Sequence, residues 1–291
     1  MTGRLASIGW TPWRMVALAV LAAAAVVAAL PAWRDIALIA SLDEEASHIY
    51  LVPIVAAWMV WARRLRVRFC APAGEMIGPP IVVLGWLAYV YGYNNAVQFL
   101  WHGGAVLVLI GCVLSVLGKN ALFRFFPAFA VLVFLVPVPG VIRQQIALPL
   151  QTATAATTQA LLETMGIAVD RSGNLLSING HEVAVAEACN GMRMVFALVL
   201  VSYAFAYSMP LRHSVRVLVL LASPLAAIFC NVLRLLPTVW LYGYQSQPVA
   251  DKFHDLSGWI MLPLAFLLLL GVVRLLRWAL IPVAKFNLAY Q

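Results

Sequence analysis

Residues 99–117, FLWHGGAVLVLIGCVLSVL, form an apolar run with one histidine and no charged side chain. A helix needs about 20 such residues to cross the hydrocarbon core of a bilayer, so this run predicts a transmembrane helix. Similar runs recur along the 291 residues, of which 64% are hydrophobic and 10% charged. Soluble domains are about half apolar and about one quarter charged. The composition therefore predicts an integral membrane protein.

Together, the apolar runs predict an all-α polytopic membrane protein of about eight transmembrane helices in one integral domain over residues 1–291. The first run follows Arg4 and Arg14, as the apolar part of a signal peptide does. We interpret it as a retained anchor, because many more spans follow it. The predicted spans are Met15–Trp33, Ala46–Trp61, Ile77–Tyr93, Phe99–Leu117, Phe125–Ile142, Asn190–Met209, Val215–Leu236 and Leu256–Leu276.

The chain has a net charge of +8, and the positions of its Lys and Arg residues indicate how the chain crosses the membrane. The basic residues form short clusters between the apolar runs, whereas a nucleic-acid site would form a continuous stripe. With both termini in the cytoplasm, the positive-inside rule puts 13 of the 19 Lys and Arg residues on the inner face. We therefore expect a multi-pass protein of the cytoplasmic membrane, with the lipid bilayer rather than nucleic acid as its partner.

One long segment outside the spans, residues 143–188, is predicted on the outer face. Residues 146–167, IALPLQTATAATTQALLETMGI, have apolar and small residues at helical spacing, which predicts an amphipathic or interfacial helix. In residues 174–188, NLLSINGHEVAVAEA, Asn179-Gly180 lies between alternating apolar positions. Asn-Gly is a strong hairpin signal, because both turn residues take positive φ. A small β-hairpin should thus lead into Cys189.

Three chemically capable side chains fall at span ends on the outer face. Cys189 precedes the sixth span, Arg234 ends the seventh and His254 begins the eighth. A helix N-terminus and nearby cations lower a thiol pKa and favour the nucleophilic thiolate. His254 can exchange protons near neutral pH, and Arg234 can bind an oxyanion or a carboxylate. The three together predict a catalytic site.

Each residue also has a simpler interpretation. A cysteine at a helix start is usually a packing residue, and an Arg or His at a span end is often an anchor at the lipid interface. Cys112 and Cys230 lie inside apolar runs, which favours packing for both, and Cys70 lies near inner-face arginines. The four cysteines contain no CxxC pair, so neither a disulfide framework nor a zinc site is indicated. We expect no metal and no other cofactor.

The chain also resembles a known family. The blocks EACNGMR (187–193), NVLR followed by LLP (231–237) and HDLSGW (254–259) are similar to three signature blocks of the exosortase and archaeosortase transpeptidases. Residues 44–64, EEASHIYLVPIVAAWMVWARR, resemble the early His-containing segment of that family. The likeness extends from about Asp43 to about Trp259.

The resemblance implies Cys189 as the nucleophile, His254 as its acid-base partner and Arg234 as the third catalytic residue. His48 matches the early histidine, although Ile49 stands where relatives commonly have Gly. Many relatives have Ser where this chain has Asn190, which is also suited to capping a helix.

The residues around these blocks are candidates for supporting roles. Arg193 comes one helical turn after Cys189 and is either a thiol-activating or substrate-binding cation or an interface anchor. Asn231 precedes Arg234 by three residues and is positioned to orient it. The acids that we expect to position His254 or Arg193 are Asp255 and Glu187.

The resemblance implies a protein-sorting cysteine transpeptidase or protease. Its substrates would be exported proteins whose C-terminal tail has a short Pro-containing motif, one transmembrane helix and a basic cluster. Cleavage would form a Cys thioester at the periplasmic face of the inner membrane of a Gram-negative bacterium, and an acceptor or water would resolve it.

Two alternative functions stay open. One is an intramembrane cysteine protease or an acyltransferase that does not transfer substrate to an acceptor. The other is a transporter or scaffold lined by His48, His102, Arg234 and His254.

Overall fold

Helices formed by the apolar runs dominate the computed structural model, which describes residues 11–70, 76–185 and 191–278. The chain divides into two compact units, Met1–Pro139 and Gly140–Gln291. The first unit contains α1 (Pro12–Ala28), α2 (Leu30–Leu42), α3 (Leu51–Ala62), α4 (Gly78–Asn94) and α5 (Gln98–Ala130). It also contains 3₁₀ segments at Glu44–Tyr50, Arg64–Phe69 and Val131–Leu135. The second unit contains α6 (Gly140–Thr164), β1 (Asp170–Ser172), β2 (Leu175–Ile178), β3 (His181–Ala184), α7 (Gly191–Ser208), α8 (His213–Tyr244) and α9 (Gln247–Trp278).

Prolines decide where two of the predicted spans break. The span Met15–Trp33 is wrong as a single helix, because α1 ends at Ala28 and α2 turns away by 74°. Pro31 stands in the first turn of α2, where its missing N–H costs no helical hydrogen bond. The span Phe125–Ile142 is also wrong as a single helix. It is divided among α5, a 3₁₀ segment and α6, and Pro137 and Pro139 lie in the break.

The closest helix contact in the first unit is between α4 and α5. A Cβ on Gly104 would lie 2.4 Å from the backbone nitrogen of Tyr89, and one on Gly85 would lie 2.8 Å from that of Val108. Only glycine allows two helix backbones to approach this closely, and such packing joins helices inside membranes. Gly118, with φ of 73°, then bends α5 without the steric cost that another residue would have.

The second unit contains the predicted hairpin within a three-stranded antiparallel sheet of order β1-β2-β3. Asn179 and Gly180 form its turn with φ of 50° and 78°, as a two-residue hairpin turn requires. The prediction of two strands missed β1, which is polar and fully exposed and so has no alternating apolar pattern. The helix predicted at 146–167 is present as α6.

The described residues contain four helical stretches long and apolar enough to cross a membrane, or five if the bent α1–α2 pair counts as one span. The four are Glu45–Ala62, Gln98–Leu135, His213–Tyr244 and Gln247–Leu275. One shorter apolar helix, Met192–Ser208 within α7, falls at the short end of the length range for a span. A helical membrane protein is therefore confirmed, whereas eight crossings and a single integral domain stay predictions.

Candidate active site

Arg234 and His254 are brought together by the helical hairpin of α8 and α9. The short connection between Tyr244 and Gln247 makes the two helices antiparallel neighbours. Arg234 lies ten residues before the end of α8, and His254 lies seven residues after the start of α9. Both side chains are therefore about two to three helical turns from the connection and reach the same level of the hairpin.

The Arg234 guanidinium is held by three groups of α9. Its Nη2 donates a 2.9 Å hydrogen bond to the His254 carbonyl and lies 3.2 Å from both ring nitrogens of His254. Its Nε donates to Ser257 Oγ at 3.1 Å, and that hydroxyl donates to the His254 carbonyl at 2.9 Å. Ser257 is buried, and both Arg234 and His254 are half-buried. The cation is thus fixed in position.

Small and polar neighbours complete this arrangement. A Cβ on Gly258 would lie 3.2 Å from Arg234 Nη2, so a larger residue there would crowd the guanidinium. Thr238 donates its hydroxyl to the Arg234 carbonyl one turn away at 2.7 Å. Sequence reasoning missed Ser257 and Gly258, although HDLSGW contained the signal, since residues three and four positions after His254 share its helix face.

The guanidinium lies against the imidazole ring. Its Nη2 is 3.2 Å from Nδ1 and 3.2 Å from Nε2 of His254, whereas the lone-pair directions of the two ring nitrogens diverge in the ring plane, so one N–H cannot be directed along both. The directed hydrogen bond from Nη2 goes to the His254 carbonyl at 2.9 Å. The cation and the imidazole are therefore in contact while the guanidinium is bonded to the backbone.

The residues predicted to support Cys189, Arg234 and His254 differ in burial and in location. Asn231 is buried on α8 and its Oδ1 has no hydrogen-bond partner among the described residues, and its orienting role stays a prediction. Arg193 and Asp255 are exposed. His48 belongs to the first unit, where its buried Nδ1 lies 3.0 Å from the Glu45 carbonyl. The remaining candidates, Glu187, Cys189 and Asn190, lie outside the described residues.

The other cysteines have packing environments. Cys230 is fully buried in an apolar cluster of α7, α8 and α9. Cys70 is also buried, and burial raises the pKa of its thiol, which the charge of Arg124 partly opposes. Among the residues that the structure describes, no three His, Cys, Asp or Glu side chains form a group suited to a metal ion.

The sheet is anchored to α8 close to this site. Leu176, Ile178, Val183 and Val185 share a buried cluster with Leu235 and Val239 of α8. At the hairpin turn, Asn179 Nδ2 donates a 3.1 Å hydrogen bond to the carbonyl of Gly243, where a Cβ would meet the Ile178 side chain at 2.7 Å. The strand that precedes residue 189 is therefore packed against the helix that carries Arg234.

These features describe a helical membrane protein in which a fixed cation lies beside an imidazole. The family model described as transmembrane exosortase matches residues 33–271, which include all the signature blocks. The chain therefore belongs to the transmembrane exosortase family, whose members are membrane protein-sorting enzymes and generally cysteine peptidases or transpeptidases. Comparisons with curated proteins and with solved structures give no match.

Proposed function

We propose that this protein is a protein-sorting cysteine transpeptidase in which Cys189, Arg234 and His254 cleave the C-terminal tails of exported proteins. The observation that carries the proposal is the contact between Arg234 and His254, two residues of separate signature blocks that lie 3.2 Å apart. A structural anchor needs only one of these groups at the lipid boundary. A cation held beside an imidazole suits acid-base chemistry with oxyanion stabilisation on an adjacent nucleophile.

Two buried residues support a position for Cys189 near this pair. Val185, four residues before Cys189, belongs to the same buried cluster as Leu235, the neighbour of Arg234. Met192, three residues after Cys189, is buried at the start of α7, which packs beside α8 and α9. An extended chain spans at most about 3.6 Å per residue. Tethers of four and three residues therefore keep Cys189 within about 14 Å of Val185 and about 11 Å of Met192.

The proposed reaction has two steps. In the first, His254 removes the thiol proton and the Cys189 sulfur attacks a substrate carbonyl, while Arg234 stabilises the oxyanion. Collapse breaks the peptide C–N bond, and His254 returns the proton to the departing amine, leaving a thioester on Cys189. In the second step an acceptor nucleophile or water attacks the thioester, and the cysteine thiol is restored. This sequence needs neither an oxidant nor a metal.

The expected substrates are exported proteins that end in a short Pro-containing motif, one transmembrane helix and a basic cluster. A tail of this kind would place its basic end in the cytoplasm and its scissile bond at the periplasmic face of the inner membrane. The predicted topology of the chain, with both termini inside, puts Arg234 and His254 on that same face. The scissile bond of the substrate and the candidate catalytic residues are thus expected on the same face of the membrane, which supports the proposal.

The test uses the full-length protein in membranes and a secreted reporter fused to such a tail from a protein of the same host. Cys189→Ala should abolish processing without changing the abundance of the enzyme. Cys112→Ala is the matched control and should process normally. A reporter fragment bound to Cys189 and released by hydroxylamine would identify the thioester. Normal processing by Cys189→Ala would overturn the proposal and leave the transporter or scaffold alternative.

A further inference from the structure

The outer edge of β3 has backbone groups that no strand of the described chain pairs. In the sheet, β3 pairs only with β2, with Leu176 opposite Val183 and Ser177 opposite Glu182. An unpaired edge of this kind presents N–H and C=O groups that a further extended chain can bind. This edge ends at Ala184, five residues before Cys189.

The register identifies which groups face outward. Val185 N donates to Asn174 O at 2.9 Å, so this pair is hydrogen-bonded, and hydrogen-bonded pairs alternate with non-hydrogen-bonded ones along an antiparallel ladder. Leu176–Val183 is then a hydrogen-bonded pair, whereas Ser177–Glu182 is not. The N–H and C=O groups of Glu182, and by the same alternation those of Ala184, therefore face away from β2.

The opposite edge of the sheet is less suited to a new strand. By the same alternation, Arg171 is the one β1 residue whose backbone groups face away from β2. The Arg171 side chain is bonded to Gln159 of α6 at 3.1 Å and to the Gly173 carbonyl at 2.8 Å. The β1 edge is thus tied to α6, and β3 is the longer edge with two outward-facing residues.

We infer that the cleavage-site segment of the exported substrate binds in extended form along β3, as a fourth strand of this sheet. The inference rests on the proposed function, because the occupant is the segment that must reach Cys189. Two properties of the edge select this occupant over a second copy of the chain. The strand ends five residues before the candidate nucleophile, and its sheet is anchored on α8 through the cluster that contains Leu235. Backbone pairing would hold the segment, and its alternate side chains would determine selectivity.

Crosslinking tests the inference without requiring catalysis. A Glu182→Cys, Cys189→Ala variant is combined with tailed reporters that have single cysteines at successive positions of the cleavage segment. Directly opposed residues on neighbouring strands have Cβ atoms about 5 Å apart. We expect disulfides at alternate reporter positions, because side chains of a strand alternate between its faces. Disulfides between two enzyme copies alone, no disulfides, or disulfides without alternation would overturn the inference.

Proline substitution tests the same edge in the active enzyme. Glu182→Pro removes one outward N–H and no β2 ladder bond, and should lower processing about tenfold. Arg171→Pro makes the matched change on β1 and should keep processing within about twofold. Equal losses in the two variants would overturn the inference. If crosslinking fails while Cys189→Ala still abolishes processing, the docking inference fails alone; if Cys189→Ala processes normally, the proposed function fails.

Discussion

The two units each hold a buried or half-buried histidine beside a charged residue, but the charges are opposite. In the first unit, His102 is fully buried and its Nε2 donates to Asp35 Oδ2 at 2.9 Å. In the second unit, His254 contacts the Arg234 guanidinium at 3.2 Å. The two neighbours differ in chemistry, because an ionised carboxylate accepts hydrogen bonds and a guanidinium only donates them.

A carboxylate partner accepts a hydrogen bond from the histidine. Asp35 only accepts hydrogen bonds when ionised, so the Nε2 of His102 carries the hydrogen of this bond. The ring also stacks on Trp101, with centroids 4.9 Å apart. Such an enclosed pair joins α2 to α5 and favours a structural role. The His254 ring instead lies against a guanidinium that is bonded to Ser257 and to the His254 carbonyl, which favours a role at the candidate site.

The largest expected effect comes from changing the two histidines in parallel. His254→Gln should lower reporter processing about 10²–10⁴-fold, the usual contribution of a general acid-base group. His102→Gln should lower the amount of folded protein and keep processing per folded molecule within a few-fold. Quantitative immunoblots of reporter and enzyme measure both quantities. A comparable loss per folded molecule in His102→Gln would contradict the contrast.

The next effect concerns the guanidinium itself. Arg234→Lys keeps the charge but loses the planar fork that donates from two separate nitrogens, Nε to Ser257 and Nη2 to the His254 carbonyl, so processing should fall about 10–100-fold. Arg216→Lys, near the other end of α8, is the control and should stay within about twofold. Arg216 contacts Tyr207 and the Met209 carbonyl, away from the site. Full activity of Arg234→Lys would show that only charge matters.

A smaller effect is expected at the close contact between α4 and α5 in the first unit. Gly104→Ala would place a Cβ 2.4 Å from Tyr89 N, and should destabilise the protein by about 1–3 kcal/mol. Gly103→Ala meets nothing within 4 Å and should be neutral, or stabilising by up to about 1 kcal/mol. Thermal unfolding in detergent compares the two variants. Equal stabilities would mean that α4 and α5 do not pack this closely.

The smallest effect isolates one hydrogen bond at the site. Ser257→Ala removes the acceptor for Arg234 Nε, which should lower kcat/KM for the reporter about three- to tenfold. Ser223 is buried like Ser257, but its hydroxyl donates to the Leu220 carbonyl within α8. Ser223→Ala should therefore leave kcat/KM nearly unchanged. No difference between the two variants would remove Ser257 from the positioning of Arg234.

The sequence predicted the helical membrane class, the hairpin turn and the family, because these depend on local composition and on contiguous blocks. Its errors have local physical causes. Pro31 and the Pro137–Pro139 region break two apolar runs that composition alone treats as continuous. A seven-residue spacing of Gly78, Gly85 and Gly92 is present in the sequence and indicates a close helix contact. Gly104, Gly111 and Gly118 repeat the same spacing in the partner helix α5.

Composition and contiguous motifs indicate that the chain belongs in a bilayer and which residue types carry the candidate chemistry. The contacts of Arg234 with His254 and Ser257, residues 20 and 23 positions away, follow from the packing of α8 against α9. The bond between His102 and Asp35, 67 positions apart, likewise depends on how α2 packs on α5. Apolar periodicity limits which helices can enter a membrane, but every apolar face satisfies lipid equally well. Pairing between helices therefore depends on close packing and on specific hydrogen bonds, which no single segment contains.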